Sequence, residues 1–473
     1  MGRTSKLPRY LRVLIIIGIV IGVIGIIIGA LCIQVATFRK NYFGKEIPNE
    51  IEPLNQSGTQ PLRAVGRGLY DKTGKRVALK GIGFGNWFLQ EQFFSPVGIG
   101  AELKRDGSFA KVNEQGVVES YKETFQDEVV QLMLDNPNLT EQQVKDLWEM
   151  YYDNYIQEED FANVKSFGLN TIRLPVYFRN FMEGPDDEHL VMRDDAFVRL
   201  DWFLEMCKKY DLYAIIDMHG VAGGQNGYEH SGTRKIDFWK NEIYQEEMCT
   251  LWREIALHYK NVRPDLSETI AAYDLVNEPV DRNTPATTRK QMVIMDKLYK
   301  AIREVDKDHV ISFEFCWFFN IFPDPETFGW ENVLYQIHLY NWTHKITNND
   351  FFYWVQDLCH SFSAYDVPCL IGEFTFFDDV DAWTTWLNNY DERGWNWCTW
   401  TYKAVSPGWW DNSWGLYVRK LHLQDKEIKY KLDLSTATYD QIYAEFQLLG
   451  TTAGDYRADG DFAKALRLYM QGK

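Results

Sequence analysis

Eight short segments rich in Val, Ile and Leu recur along this chain, and most of the connections between them contain amphipathic stretches of helix length. The strand-like segments are residues 77–84, 170–176, 213–218, 270–277, 310–315, 333–340, 368–374 and 395–402. The clearest helical stretches are residues 160–167, 195–209, 242–259 and 290–305. Apolar strands that alternate with helices are typical of a parallel sheet covered by helices. Eight such units in one body predict an α/β fold of the (β/α)8 TIM barrel type.

A membrane segment is predicted ahead of this body. Residues 13–33 form a run of 21 residues without a charge, and a helix of that length spans a hydrocarbon core of about 30 Å. Four basic residues precede the run and three follow it, which favours a cytoplasmic N-terminus. A cleaved signal peptide is the alternative, but the apolar run is long for one, and Gln34 stands where a cleavage site needs a small residue.

The domain layout follows from these two features. We predict a basic cytoplasmic tail (1–12), a transmembrane anchor (13–36), a stalk (37–65) and a catalytic body (66–473) with a large insertion at 88–158. The protein would be a single-pass membrane protein with its body outside the cytoplasm. Glycines in GxxxG spacing within the anchor could pair two anchors into a dimer, although glycine is also common in unpaired membrane helices. These are Gly18, Gly22, Gly25 and Gly29.

The distribution of charge argues against a nucleic-acid partner. The whole chain has a formal net charge of −17, but its first 45 residues hold seven Lys and Arg and no acid. The rest of the chain therefore carries a net charge of −24. A body this acidic would be repelled by phosphates. The sequence also lacks HExxH, GxSxG and P-loop motifs, so metalloprotease, esterase and NTPase functions have no support.

Functional side chains of a (β/α)8 barrel lie where its strands end. The predicted strands end on polar and aromatic groups, in chain order Asn86 and Trp87, Arg173, Asp217 and His219, Asn277 and Glu278, Glu314 and Trp317, His338 and Tyr340, Glu373, and Trp400 and Lys403. Carboxylates, imidazoles, a guanidinium and indoles would thus meet at one rim. Asp217 is expected to brace the barrel, and Glu314 to be buried and hydrogen-bonded.

Two of these residues, Glu278 and Glu373, follow the fourth and seventh strands and would face each other across the barrel mouth. Cleavage of a glycosidic bond needs such a pair, one group to protonate the leaving oxygen and one to attack or to activate water. Arg173 would keep the second carboxylate ionised, and Tyr340 could donate a hydrogen bond to it. Trp400 offers a flat face to a sugar ring.

The motifs at these positions, FGLNTIRLPV, AIIDMHG, YDLVNEP, IHLY, IGEF and WTYK, resemble those of glycoside hydrolase family 5, a family of retaining (β/α)8 glycosidases. The resemblance covers about residues 66–450, and residues 217–232 are similar to the exo-β-1,3-glucanase branch. It implies that Glu278 is the acid/base and Glu373 the nucleophile, and that Asn277 holds the sugar 2-hydroxyl. It also implies that Trp400 is the sugar platform and that four further residues surround the carboxylates, namely Arg173, His219, His338 and Tyr340.

Several alternatives stay open at this point. Trp87, Trp317, Trp409, Trp410 and Trp414 could line outer sugar subsites or simply pack in the interior. The long 88–158 connection and the anchor depart from the secreted glucanases and leave exo and endo action open. We predict a membrane-anchored retaining β-glycosidase that acts on a β-linked glucan or related oligosaccharide without a metal or organic cofactor. A transglycosylase using the same site and a catalytically silent glycan-binding barrel are the alternatives.

Overall fold

The computed structural model describes most of the body of the chain. The described residues are 47–53, 60–91, 95, 111–112, 118–120, 125–185, 189–280, 287–315, 322–340, 365–377, 379–406, 414–420, 423–424, 427–428, 433–450, 452 and 456–472. The predicted tail (1–12) and anchor (13–36) lie outside these residues. Within them, none of the helices combines the length and the apolar composition that crossing a membrane requires.

Eight parallel strands close into a barrel in which each strand pairs with its neighbours in chain order and the eighth pairs with the first. Numbered in chain order, the barrel strands are strand 1 (Lys80–Gly83), strand 2 (Thr171–Tyr177), strand 3 (Tyr213–Gly220), strand 4 (Ile270–Asp274), strand 5 (Val310–Glu314), strand 6 (Val333–His338), strand 7 (Cys369–Glu373) and strand 8 (Asn396–Thr399). Each of the eight predicted strands overlaps one of them, so the predicted (β/α)8 fold is confirmed.

Burial explains why these strands carry apolar runs rather than alternating patterns. Every residue of strands 2 and 4 to 8 is buried. One face of each strand packs inside the barrel and the other packs against helices. The helices are Gln126–Leu134, Glu141–Tyr155, Glu158–Ser166, Val198–Lys209, Glu242–Leu257, Pro264–Ser267, Arg289–Arg303, Pro325–Phe328, Val380–Arg393, Tyr439–Gly450 and Asp461–Gln471.

Local signals in the sequence set several helix ends. The helix Glu141–Tyr155 begins after Thr140, whose side chain accepts from the backbone N–H of Gln143 while the Gln143 side chain accepts from the Thr140 N–H. Thr288 and Gln291 make the same reciprocal pair before Arg289–Arg303. Such capping boxes satisfy backbone donors that have no partner within the helix.

A small antiparallel sheet closes the amino-terminal end of the barrel. Its strands are Arg63–Val65, Gly68–Tyr70 and Arg76–Val77. Leu62, Leu69 and Leu79 pack with apolar side chains from the barrel strands. Residues 47–53 also reach this sheet, through hydrogen bonds such as Ile51 N–H to the carbonyl of Gly74 (2.9 Å). Parts of the segment expected as a stalk (37–65) therefore pack on the body.

The insertion after strand 1 packs beside the barrel against the C-terminal part of the chain. Trp148 and Tyr151 of its second helix each lie 5.8 Å from the ring of Phe446, between ring centroids. Two short strands of the insertion, Lys111–Val112 and Val118–Ser120, join Leu423–Gln424 and Glu427–Ile428 in one sheet. The other short strands are Met182–Glu183, Val191–Met192, Lys403–Ser406 and Tyr417–Lys420. The C-terminal part of the chain thus contacts the insertion at two places.

Candidate active site

The carboxyl ends of the barrel strands bring the predicted site residues together. Arg173 lies in strand 2 and His219 in strand 3, Asn277 and Glu278 follow strand 4, His338 ends strand 6 with Tyr340 two residues later, Glu373 ends strand 7, and Trp400 follows strand 8 directly. All of these side chains are buried. Trp87 is also buried, but it is the one predicted residue that lies away from this group, and it is described below.

Glu373 is held by a cation and a hydroxyl on its two oxygens. Arg173 Nη1 donates to Glu373 Oε1 at 2.6 Å, and the Tyr340 hydroxyl donates to Oε2 at 2.7 Å. Burial alone would raise the pKa of Glu373, but the charges of His338 and Arg173 outweigh it and lower that pKa. Glu373 is therefore kept as a carboxylate with both oxygens oriented.

Arg173 is itself fixed by acidic and amide groups from neighbouring strands. Its Nε donates to Asp274 Oδ2 at 3.2 Å, and its Nη2 lies 3.1 Å from Asp217 Oδ2. The same Nη2 donates to Asn277 Oδ1 at 2.8 Å. This agrees with the bracing role expected for Asp217. An arginine bonded along its whole fork has little freedom to turn away from Glu373.

The side-chain amide of Asn277 has one hydrogen-bonding group, its Nδ2, that a ligand could use. Its Oδ1 is taken by Arg173, and its Nδ2 is buried without a hydrogen-bond partner among the described residues. An unmet buried donor costs free energy. A sugar hydroxyl at this position would satisfy it.

Glu278 faces two histidines. Its Oε1 lies 3.1 Å from His338 Nδ1, and its Oε2 lies 2.9 Å from His230 Nε2. Burial favours the neutral acid, but the charge and hydrogen bond of His230, with the hydrogen bond of His338, lower the Glu278 pKa well below its usual value. Its proton is therefore shared with its neighbours rather than fixed on the carboxyl group.

The backbone of Glu278 is strained and pinned. Its φ angle is 42°, in the left-handed region that non-glycine residues seldom adopt. Its N–H donates to Glu314 Oε2 at 2.9 Å, as expected for a buried, hydrogen-bonded Glu314, and its carbonyl accepts from Asn226 Nδ2 at 3.2 Å. These bonds hold the side chain toward the barrel mouth at the cost of local strain.

His338 links the two candidate carboxylates. Its Nδ1 lies 3.1 Å from Glu278 Oε1 and 3.5 Å from Glu373 Oε2. By the triangle rule these two oxygens are less than about 7 Å apart. A single bond of a bound ligand could therefore lie within reach of both carboxyl groups.

Glu278, Glu314 and His338 also offer atoms that all lie within 4.8 Å of one another. The hydrogen bonds and close polar contacts among them account for this closeness, and we do not assign a metal site to them.

Trp400 and His219 form the flat side of the site. Their rings are parallel within 4°, with centroids 5.6 Å apart, and His219 Nδ1 lies 2.6 Å from Asp217 Oδ2. Burial lowers the His219 pKa well below its ordinary value, so its imidazole is neutral.

The indole of Trp400 fits only because glycines lie at the end of strand 1 and just after it. A Cβ atom at Gly83 would lie 2.4 Å from the Trp400 ring, and one at Gly85 would lie 2.7 Å from it. Neither distance is sterically allowed. Glycine at positions 83 and 85 thus allows the close approach of the indole.

Trp87 does not join the site, which corrects our expectation of a substrate contact. Its side chain is 1% exposed, it stacks on Phe88 at 4.3 Å, and it meets Trp202 and Phe203 of the helix outside the barrel. Its indole N–H donates to the carbonyl of Tyr152 at 2.8 Å. The ring therefore fastens the insertion to the barrel.

The other candidate tryptophans divide in two groups. Trp414 packs beside Tyr340, at 5.6 Å between ring centroids. Trp317, Trp409 and Trp410 lie outside the described residues.

His230 and Glu91 are among the site residues that were missed from the sequence. His230 contacts Glu278 from the loop after strand 3. Glu91 is a buried carboxyl group whose pKa burial raises well above its usual range, with His230, Glu373 and Glu278 among the charges that act on it. Both lie in loops, where no periodic pattern marks an inward side chain. The only available signal for His230 was the polar run 217–232, of which no residue beyond His219 was singled out.

A buried pair of glutamates at the carboxyl end of a parallel (β/α)8 barrel is an arrangement typical of glycosidases. Residues 130–406 match the family model described as Cellulase (glycosyl hydrolase family 5). The chain belongs to this family, as its motifs had suggested.

Curated relatives agree with this assignment. The chain is 32% identical to a protein named beta-xylosidase from Phanerodontia chrysosporium over 285 residues, which is 59% of this chain and 52% of that protein. It is 26% identical over 234 residues to a glucan 1,3-beta-glucosidase from Lachancea kluyveri, covering 47% of this chain and 48% of that one. The matches thus span about half the length of these relatives.

Solved structures support the fold alone, since their sequences are distant. A rutinosidase from Aspergillus niger superposes with a TM-score of 0.53 at 15% identity, covering 78% of this chain and 98% of that chain. A structure titled endogalactoceramidase has a TM-score of 0.51 at 13% identity, covering 86% of this chain and 84% of that chain.

Proposed function

We propose that this protein is a retaining β-glycosidase in which Glu278 is the acid/base and Glu373 the nucleophile. Glu373 attacks the anomeric carbon while the proton held at Glu278 passes to the leaving oxygen, so that a covalent glycosyl-enzyme forms. Water, deprotonated by Glu278, then releases the sugar with retained configuration.

The observation that carries this proposal is the contact of His338 Nδ1 with both carboxylates. It keeps one oxygen of Glu278 within 6.6 Å of one oxygen of Glu373, the sum of the 3.1 Å and 3.5 Å contacts, which is an upper bound at the short end of the inverting range. Retaining enzymes have carboxyl groups about 5–5.5 Å apart, whereas inverting enzymes leave about 6.5–9.5 Å for a water molecule. The spacing therefore favours direct attack by Glu373.

The ionisation of Glu373 supports its assignment as nucleophile. A nucleophile must be deprotonated at working pH, and Arg173 and Tyr340 stabilise the charged form of Glu373 through direct hydrogen bonds. Glu278 faces two histidines, His230 and His338. The two carboxylates thus have distinct surroundings, as two distinct roles require.

The proposed substrate is a β-linked glucan or a related oligosaccharide or glycoside. The relatives named for glucan 1,3-β-glucosidase and β-xylosidase activities support this class. Trp400 with His219 would face the sugar ring, and Asn277 Nδ2 would donate to the 2-hydroxyl, where a bond strengthens in the transition state.

The test is turnover of aryl β-glycosides and of β-1,3, β-1,4 and β-1,6 glucans and mannan by the full-length chain. We expect hydrolysis of at least one substrate, and proton NMR should show the β-anomer as the first product. The Glu373→Gln variant should bind but not turn over. A Glu304→Gln variant is the control, because Glu304 is 61% exposed and pairs only with a surface arginine among its described contacts.

Other outcomes would identify the alternatives. Binding of glycans without turnover by the wild-type chain would indicate a glycan-binding barrel. Longer oligosaccharides at high acceptor concentration would indicate transglycosylation at the same site. An α-anomer as first product would reject the retaining mechanism.

We also propose that residues 13–36 anchor the protein in a membrane with the catalytic body outside the cytoplasm. The 21-residue uncharged run and its basic flanks support this. The chain should stay in the membrane pellet after alkaline carbonate extraction, and protease added outside intact cells should remove the body. Release of the chain by carbonate would reject the anchor.

A further inference from the structure

His230 contacts the carboxyl group proposed as the acid/base. Its Nε2 lies 2.9 Å from Oε2 of Glu278, and its side chain is 16% exposed. His230 belongs to the one-turn helix Glu229–Ser231 after strand 3, whereas Glu278 follows strand 4. The contact therefore depends on the loop after strand 3 reaching over to the next strand.

Asn226 faces the same imidazole nitrogen. Its Nδ2 lies 2.8 Å from His230 Nε2, and its Oδ1 accepts from the backbone N–H of Tyr228 at 2.9 Å, which fixes the orientation of the amide. A protonated His230 donates from Nε2 to Glu278, whereas the single lone pair of a neutral Nε2 accepts either from a protonated Glu278 or from Asn226 Nδ2. The one proton between His230 Nε2 and Glu278 Oε2 therefore makes a hydrogen bond whichever of the two groups carries it.

The charges around His230 favour keeping that proton. Burial lowers the pKa of the imidazole, but the charge of Glu278, with Glu91 and Glu229 adding to it, raises the pKa to about 9. His219 faces the ring at 5.8 Å between centroids and is neutral. Tyr228 stacks on the ring at 5.6 Å between ring centroids.

We propose that His230 and Glu278 work as one unit that holds a single proton for the leaving group, and that His230 thereby extends activity into alkaline pH. This inference rests on the proposed glycosidase function. His230 acts through Glu278 and is a positioning residue in that reaction.

The proton balance of the reaction is simple. In the first step the shared proton ends on the glycosidic oxygen, the bond from that oxygen to the anomeric carbon breaks, and Glu373 forms an ester with that carbon. Glu278 is left as a carboxylate beside neutral His230. In the second step water gives one proton to the pair as its oxygen displaces Glu373 from the carbon.

The pair and a lone carboxyl group differ in the pH at which this proton is lost. A catalytic glutamic acid without a charged partner loses its proton near pH 6–7 at most. A coupled pair titrates as a unit, and this pair loses its proton at the higher pH at which the imidazole gives it up. The alkaline limb of kcat/KM should therefore lie near pH 9 in the wild type and fall by about two units in His230→Asn.

The first test compares pH profiles of the full-length wild type, His230→Asn and His258→Asn. His258 is a matched control, because its Nε2 lies 2.9 Å from Asp201 on the outer helices. The phenol of a phenyl β-glycoside needs a proton from the enzyme as it leaves, whereas dinitrophenolate leaves without one. We expect the alkaline limb to shift only in His230→Asn and only with the phenyl substrate. The inference would be overturned if the alkaline limb of His230→Asn stayed at its wild-type pH, or if this variant lost activity equally with both substrates.

The second test needs no turnover. Ring-labelled histidine NMR, with His230 signals assigned by their absence in His230→Asn, should show a pKa near 9 that drops below about 6.5 in Glu278→Gln. Hydrolysis by a wild type whose His230 titrates below pH 7 would overturn the inference and leave the proposed function standing. A His230 pKa near 9 in a chain that hydrolyses nothing would support the shared proton and reject the function.

Discussion

Arg173 Nη1 and Glu373 Oε1 lie 2.6 Å apart although the residues belong to strands 2 and 7 of the barrel. Both side chains are buried, so the ion pair is little screened by water. It joins two strands that are not neighbours in the sheet. The same contact thus supports the fold of the rim and the charge of the proposed nucleophile.

Replacing Arg173 should separate these two effects. Arg173→Lys keeps a charge but loses the fork that reaches Glu373 and Asn277, so we expect kcat to fall by about 100-fold or more with little unfolding. Arg173→Met leaves several buried carboxylates unpaired and should reduce the free energy of unfolding by about 3–5 kcal/mol. Steady-state kinetics and urea denaturation measure the two effects. Arg253→Lys, at an exposed pair with Glu304, should change neither measurably.

Tyr340→Phe should move the acid limb of the pH profile. The Tyr340 hydroxyl stabilises ionised Glu373, so its removal raises the Glu373 pKa, by about one unit for one hydrogen bond. As the pH is lowered, activity toward a dinitrophenyl glycoside should therefore fall at a higher pH in Tyr340→Phe than in the wild type. Tyr335→Phe is the control, because the Tyr335 hydroxyl donates to the carbonyl of Pro323. An equal shift in both variants would contradict the assignment.

Gly83→Ala should displace Trp400. The new Cβ would lie 2.4 Å from the indole, so either the ring moves or strand 1 does. We expect a loss of turnover of at least tenfold, together with a changed tryptophan fluorescence spectrum. Gly460→Ala, where nothing lies within 4 Å of the added carbon, should leave both unchanged.

Trp87 and Trp400 should respond differently to substitution. Trp87→Ala removes packing between the insertion and the barrel and should cost about 3–5 kcal/mol of stability, with KM unchanged in the folded fraction. Trp400→Phe should raise KM or lower kcat with a smaller stability loss. If Trp87→Phe changed KM as much as Trp400→Phe, the packing role of Trp87 would be contradicted.

The contrast between these tryptophans shows what could be predicted from the sequence. Strand ends such as Asn277-Glu278 and Glu373 were located because apolar runs fix where each strand stops and a closed barrel brings those ends together. Trp87 also follows a strand, but the direction of its ring depends on the insertion that packs over it. His230 and Glu91 reach the site through loop conformation, which neither periodicity nor local propensity records.

A pH-dependent stability is expected far from the site. Asp306 is buried beside His309, with Oδ2 2.5 Å from Nδ1. Burial opposes ionisation, but the charge and hydrogen bonds of His309 outweigh it and lower the Asp306 pKa. A lowered folded pKa stabilises the protein fully above the unfolded value of about 3.9 and progressively less below it. Asp306→Asn should therefore reduce stability near neutral pH, and the difference from wild type should shrink below about pH 4 in urea titrations.

Trapping of the covalent intermediate tests the central assignment most directly. A dinitrophenyl 2-deoxy-2-fluoro-β-glycoside of the sugar that the enzyme accepts should inactivate the full-length chain with release of one dinitrophenolate per molecule. Peptide mass spectrometry should then find the fluoro-sugar as an ester on Glu373. A label on Glu278 or another residue, or turnover that inverts the anomeric centre without any label, would contradict the account.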